Sequence, residues 1–262
     1  NQKSGGFTVS GFDFELHRGE VMVICGPVGS GKSTLLNGIL DEAEALDGTK
    51  VTFSNKKQNV ISYVPQTPFI LNRTLRDNIL FGLPMISSKY QRALLACGLS
   101  NLKEELGDDG DLTEIGERGV TLSGGQKQRV SLARAAYASV FSSSENNNNN
   151  DLVVLDDPFS ALDSDTSQIV FERLIGGSAT TGIEALWQDK AVVLVTHAPN
   201  LIVHCAITNI AVIVNGRCKF YGKWKELSDY SFTAQDDDDT KRAMAHIRST
   251  IQEEEEEKVV KE

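Results

Sequence analysis

Cysteine is scarce in this chain, a surplus of basic charge is absent, and no stretch is apolar for long enough to cross a membrane. The four cysteines, Cys25, Cys97, Cys205 and Cys218, form no C-x-x-C pair and no metal-ligand spacing with histidine. Cysteine this sparse in 262 residues reads as a reduced, intracellular protein. The net charge of −10 argues against a general nucleic-acid partner, which needs a basic surface to displace phosphate counterions. That charge is concentrated: Asp236-Asp237-Asp238-Asp239 and residues 253–257 supply nine of the 36 acidic side chains, and the rest of the chain is close to neutral. The most apolar stretch, residues 191–214, is broken by His197, Pro199, Asn200, His204 and Asn209, so it reads as buried strands around a helix with no direct membrane insertion. The opening Asn1-Gln2-Lys3-Ser4-Gly5-Gly6 has no apolar core of a signal peptide and reads as cut from a longer chain.

What is present is a hydrophobic content of 40%, enough for a real core. Val21-Met22-Val23-Ile24-Cys25 is a continuous apolar run, the mark of a strand covered on both faces of a parallel sheet. Further strands are expected at 61–64, 152–155, 191–196, 210–214 and 218–221, with helices at 33–40, 75–80, 89–97, 126–138 and 163–175. Alternating strands and helices predict an α/β core with parallel strands, and the mostly helical stretch 74–138 reads as a separate lobe. The Asn-rich run at 142–150 reads as a solvated loop. The tail 231–262 reads as an acidic linker, with a helix at 240–251 and no capacity to bury apolar surface.

Gly26-Pro27-Val28-Gly29-Ser30-Gly31-Lys32-Ser33-Thr34 fits G-x-x-x-x-G-K-[ST] between a buried strand and a helix. The chemistry asks for these residue types. Glycines let the backbone curl until its N–H groups face a phosphate, and the following helix adds favourable partial charge. Lys32 would reach the β- and γ-phosphates of a nucleotide and the Ser33 hydroxyl would ligate Mg²⁺. Leu152-Val153-Val154-Leu155-Asp156 ends a strand in a carboxylate, which suits the second half of an Mg²⁺ site. The phosphate loop by itself leaves GTPase, kinase, helicase and transporter open.

Leu122-Ser123-Gly124-Gly125-Gln126 before a helix adds a second anion-binding helix start. A serine N-cap with a flexible Gly-Gly turn is the ordinary explanation of such a pentapeptide. The order of everything around it points further, because the loop resembles the signature motif of ATP-binding-cassette (ABC) transporters. The resemblance covers roughly residues 7–230, and residues 1–230 are read as one nucleotide-binding domain. It implies a P-loop NTPase of RecA-like α/β fold, with a parallel sheet, an antiparallel β edge and a helical signature subdomain at 74–138. It implies ATP and Mg²⁺ as cofactors. It further implies that Gln66 contacts Mg²⁺ and senses membrane domains, that His197 touches the γ-phosphate, and that Asp156 helps hold the metal. Ser123, Gly124, Gly125, Gln126 and Asp163 would act in trans, on a nucleotide held by a second cassette in a head-to-tail dimer. The other implied partners are the transmembrane domains of the same transporter, placing the chain at the cytoplasmic face of a plasma or vacuolar membrane. The poly-Asn run hints at a eukaryotic source.

Thr113-Glu114-Ile115-Gly116-Glu117, the run 115–135 and Asp156-Asp157-Pro158-Phe159-Ser160-Ala161-Leu162-Asp163 resemble the first cassette of the C subfamily. That group contains the multidrug-resistance-associated proteins, the sulfonylurea receptors and the cystic fibrosis channel. Asp157 stands where ABC proteins generally carry the glutamate that activates water. Its carboxylate lies about 1.5 Å short, so this domain's own site is expected to be slow. Phe7, Phe12 and Phe14 read as core positions of an opening β-segment, and the aromatic that stacks adenine in the family is expected outside this chain. Export of organic anions or conjugates is the function the resemblance implies. A nucleotide sensor that gates a channel uses the same residues. A chromosome-maintenance ATPase would need a long heptad insertion, which residues 40–120 lack.

Overall fold

The computed structural model describes residues 8–44, 51–52, 61–101, 105–117, 121–142, 152–177, 184–233 and 236–261. The chain divides into two compact units, one of Asn1–Leu16, Glu20–Phe53 and Val193–Glu262, the other of His17–Gly19 and Ser54–Val192. The Asn-rich stretch, apart from the helical Ser142, and Phe7 lie outside the described residues.

The first unit is built on β1 (Val21–Cys25), whose five residues are all buried. It pairs in parallel with β7 (Asn209–Val214), from Met22 opposite Asn209 to Cys25 opposite Val212. β7 then pairs antiparallel with β8 (Arg217–Gly222). Asn215 and Gly216 join them, both with positive φ (48° and 74°), the backbone that a tight right-twisted hairpin requires. α1 (Lys32–Ile39) leaves β1 through residues 26–31. β6 (Ala191–Val195), buried throughout, crosses the division between the units. Phe12 and Phe14 are half-buried and lie outside any strand, so they are not the core positions expected. Phe14 instead stacks on Tyr221 of β8, ring centroids 5.7 Å apart.

The tail corrects the expectation of a segment that buries nothing. Asp238–Lys261 is one helix, here α8, headed by Asp237, whose carboxylate accepts the Thr240 amide at 2.7 Å. It packs on β7 and on the short α6 (Pro199–Ile202). Ala243, Met244 and Ile251 are buried and Ile247 half-buried. The spacing 244, 247, 251 is a helical stripe, which the density of acidic residues along the segment disguises. Arg248 ties the helix back to the carbonyl oxygens of Ser228, the last residue of α7 (Trp224–Ser228), and Tyr230.

In the second unit β2 (Ile61–Val64) runs parallel to β5 (Leu152–Asp156), Ile61 opposite Leu152 and Val64 opposite Leu155. α2 (Leu75–Leu80) and α3 (Ser87–Ala96) both pack on α4 (Gly124–Ser142), which also lies against β2. The helices expected as a separate lobe therefore share one compact unit with β2 and β5. Two residues of β3 (Arg73–Thr74) pair antiparallel with two of β4 (Glu114–Ile115), a ladder too short to show in the sequence pattern. α5 (Ser164–Phe171) continues into a π-helical turn, Glu172–Gly176. The chain is α/β, with parallel pairs and one antiparallel edge. Among the described residues no helix is long and apolar enough to cross a membrane.

Candidate nucleotide-binding site

Residues 26–31 adopt a backbone that favours glycine at three positions. Gly26, Gly29 and Gly31 have φ of 150°, 77° and 106°, all in the region that L side chains avoid. A Cβ on Gly26 would collide with the carbonyl oxygen of Ile213 on β7, so the loop hugs that strand. The Gly216 amide donates to the Ser30 carbonyl at 2.8 Å and anchors the loop's far side. α1 starts at Lys32 with Gly31 as N-cap and no side-chain cap, and a helix start of this kind suits an anion. The Ser30 hydroxyl is buried without a hydrogen-bond partner. Lys32 is only 8% exposed, and its ammonium donates to the carbonyls of Gly26 at 2.9 Å and Pro27 at 2.8 Å. A curled glycine backbone, an uncapped helix start and a buried ammonium make a cradle that fits a polyphosphate. Ser33, on the first turn of α1, is exposed, as is Val28 at 93%. His197, exposed two residues past β6, belongs to the same unit.

Beneath the loop, Cys25 ends β1. Complete burial pushes its thiol up to about 12, with the Lys32 charge acting in the opposite direction. It is therefore a small core side chain rather than a nucleophile.

The other expected residues fall in the second unit. Asp156 and Asp157 are buried at the end of β5. Asp157 has φ of 47°, a left-handed backbone that aspartate tolerates better than most residues. Its carbonyl accepts the Ser160 hydroxyl at 2.9 Å. Gln66 is exposed just past β2. Among the described residues no three His, Cys, Asp or Glu side chains gather as a metal cluster.

Ser123 and Gln126 form a reciprocal capping box at the head of α4: the Gln126 amide donates to Ser123 Oγ at 3.2 Å and the Ser123 amide to Gln126 Oε1 at 2.9 Å. A Cβ on Gly125 would sit 3.0 Å from the carbonyl oxygen of Ala161, so this loop lies against residues 161–162. Asp163 caps α5, and the Thr166 amide at 2.9 Å holds its carboxyl below the usual carboxylate range. Ser123 and Asp163 thus have architectural work as helix caps whatever else they do.

Sequence reasoning passed over an exposed apolar patch on this unit. Phe69 and Phe81 are 56% and 52% exposed, and Met85 lies in the same stretch of chain. Arg134 of α4 lies beneath, its guanidinium carbon 4.6 Å from the Phe81 ring centroid. The signal was available: Arg134 falls four residues after Val130 and three before Tyr137, on the helix's buried stripe.

A family model described as ABC transporter matches residues 9–160. Over 221 residues the chain is 44% identical to ABC transporter C family member 9 of Arabidopsis thaliana, covering 84% of this chain and 13% of that protein. It is 39% identical over 224 residues to ABC transporter C family member 7 of Dictyostelium discoideum, covering 85% of this chain and 15% of that one. Over 220 residues it is 38% identical to ATP-binding cassette sub-family C member 3 of Homo sapiens, covering 84% of this chain and 13% of that protein. The chain thus spans 13–15% of the length of these relatives.

Proposed function

The chain belongs to the ABC transporter family, and from that premise we propose that it is one ATP-binding cassette of a larger eukaryotic exporter, working as a head-to-tail dimer with a second cassette. The observation that carries the proposal is the loop 26–34: three glycines with positive φ, an uncapped helix start and the buried Lys32 ammonium. In this reading the loop amides and Lys32 hold the β- and γ-phosphates of ATP, and the phosphates displace the Gly26 and Pro27 carbonyls as partners of the ammonium. Mg²⁺, when bound, neutralises charge that develops on the phosphates. Ser33, Asp156 and Gln66 are the residues that would hold it.

Asp157 would take the proton of the attacking water, and His197 would contact the γ-phosphate. Because Asp157 is one methylene short, this site turns over slowly, while Ser123, Gly124, Gly125, Gln126 and Asp163 complete the nucleotide site of the partner cassette. The exposed Phe69, Phe81 and Met85 suit docking of the transmembrane domains, which would lie in the larger part of the protein outside this chain. Organic anions or conjugates are the proposed cargo, by resemblance to the C subfamily, and the α8 region serves as an acidic connection to the rest of the transporter.

Titration of the chain with Mg-ATP tests the reading. Saturable binding with one nucleotide per chain, weakened when Mg²⁺ is chelated, is expected. Absence of saturable binding at millimolar nucleotide would overturn it.

A further inference from the structure

Arg134 is an unusual residue for its position. Half-buried on the inner stripe of α4, it loses much of its hydration, and that burial lowers its pKa. A cation in such a place is ordinarily paired with a carboxylate. Among the described residues its partners are instead the carbonyl of Asn78 at 2.8 Å, the carbonyl of Phe69 at 2.9 Å, the Asn78 side-chain oxygen at 3.4 Å and the face of Phe81. Methionine or leucine would fill the same space without the desolvation penalty.

What the guanidinium fork accomplishes is a connection. Its two bonded carbonyls belong to separate segments, one leading from Gln66 and one ending α2. Asn78, fully buried, binds the same stretch again, donating to the carbonyls of Leu71 and Thr74 at 3.0 Å each and accepting the Leu71 amide at 2.8 Å. One turn along α4, Tyr137 takes the Ile86 amide at 2.9 Å and donates to the Pro84 carbonyl. Residues 69–86 are therefore held by backbone atoms to one face of one helix. Phe81, exposed over the guanidinium, has a left-handed backbone with φ of 46°, a strained conformation for an aromatic residue that such an attachment sustains. The helix that makes these attachments begins with Gly124 and Gly125 of the signature loop, about 15 Å from Arg134 at 1.5 Å per residue.

We infer that Arg134 is a positioning residue: it pins the exposed Phe69–Phe81 patch to the signature helix, so that whatever moves the patch moves Ser123–Gln126. The inference rests on the cassette reading above. It adds to that reading a named mechanical joint, in which the Arg134 fork and the Phe81 ring act as one unit. Lysine keeps the charge and the stem but presents no planar fork, and cannot bridge the Phe69 and Asn78 carbonyls in this geometry.

The test compares Arg134→Lys, Phe81→Leu and the double variant in the full-length transporter with both cassettes, measuring ATP turnover stimulated by transported substrate, the KM for ATP and Mg-ATP binding. Each single variant is expected to lower the kcat of stimulated turnover about threefold or more, with KM for ATP and nucleotide affinity within about twofold of wild type. The double variant should be no worse than the poorer single, because both remove one joint. Phe81→Leu leaves the buried fork in place, so it keeps the inference falsifiable if Arg134→Lys folds poorly. Wild-type stimulated turnover in Phe81→Leu, strictly additive losses, or a change confined to KM would overturn the inference. Failure of the wild-type protein to bind Mg-ATP would instead overturn the cassette reading, and the two failures are thereby distinguished.

Discussion

Lys32 donates its ammonium to the carbonyl oxygen of Gly26 at 2.9 Å, closing residues 26–32 into a ring that its own loop stabilises. In the proposed reading a phosphate would exchange with that carbonyl, favourably because a charged acceptor makes the stronger hydrogen bond. Lys32→Ala is therefore expected to weaken Mg-ATP binding at least tenfold, about 1.4 kcal/mol. Equal affinities for variant and wild type in titration calorimetry would remove the loop from the site.

Gly26 and Gly29 separate backbone strain from collision. Both need positive φ, but a Cβ at Gly26 strikes the Ile213 carbonyl whereas one at Gly29 meets nothing within 4 Å. Gly29→Ala should cost about 1–2 kcal/mol of stability from strain alone. Gly26→Ala adds overpacking and should exceed it by at least about 1 kcal/mol. Urea denaturation of the two variants gives the comparison, and equal losses would show that β7 yields to the loop.

The tail supplies a prediction opposite in sign to what its composition suggests. Met244 and Ile251 are buried against the first unit, so Met244→Ala should destabilise the chain by about 2 kcal/mol or more. Truncation after Tyr230 should lower the melting temperature by several degrees. An unchanged melting temperature would mean that α8 is not held in solution where it lies here.

The cysteines can be read by their reactivity. The thiolate is the reactive form, and burial raises Cys25 to about 12 and raises Cys97 as well, so neither is ionised at pH 8. Cys205 is exposed. An aromatic disulfide reagent at pH 8 should modify Cys205 first and leave Cys25 and Cys97 until denaturant is added. The same burial gives the pH dependence of stability a definite sign. Both thiols stay protonated in the fold but ionise in the unfolded chain near pH 8.5, so their contribution to stability is complete below that pH and falls as pH rises toward 12. Fast labelling of Cys25 in the native chain would show that the loop opens β1 to solvent.

How far the sequence could be read depended on how local the cause was. β1, α2 and β2 were legible because a continuous apolar run or a capped helical period reports directly on burial. The glycines of residues 26–31 announced their backbone for the same reason. The tail misled because three buried residues on one stripe are outvoted by acidic neighbours in any average over composition. Phe14 misled because its partner, Tyr221, is more than two hundred residues away. Arg134 was missed because an arginine in a helix is usually solvated, and only its phase relative to Val130 and Tyr137 marks it as buried.

Asp157 carries the sharpest prediction. Its buried carboxylate comes directly after the β5 carboxylate Asp156, and its backbone is left-handed with φ of 47°. Two properties of aspartate are thus in play at one position: tolerance of the backbone, and a short side chain, which in the proposed reading would set its carboxylate back from the attacking water. Asp157→Asn keeps the shape and the backbone tolerance while removing the base, so it should abolish what turnover this site has with little loss of stability. Asp157→Glu restores length and should raise turnover at this site, with general-base contributions of roughly 10²–10⁴-fold as the ceiling. It gives up some backbone tolerance, which should appear separately as about 1 kcal/mol of lost stability. The measurement belongs in the assembled transporter with the other nucleotide site silenced, because in the proposed head-to-tail dimer the opposing signature loop would complete this one. If Asp157→Glu leaves single-site hydrolysis unchanged or lowers it while the protein stays folded, carboxylate length does not limit the site. The limit would then lie with His197 or with the partner's signature loop, and His197→Ala in the Asp157→Glu background would separate those two.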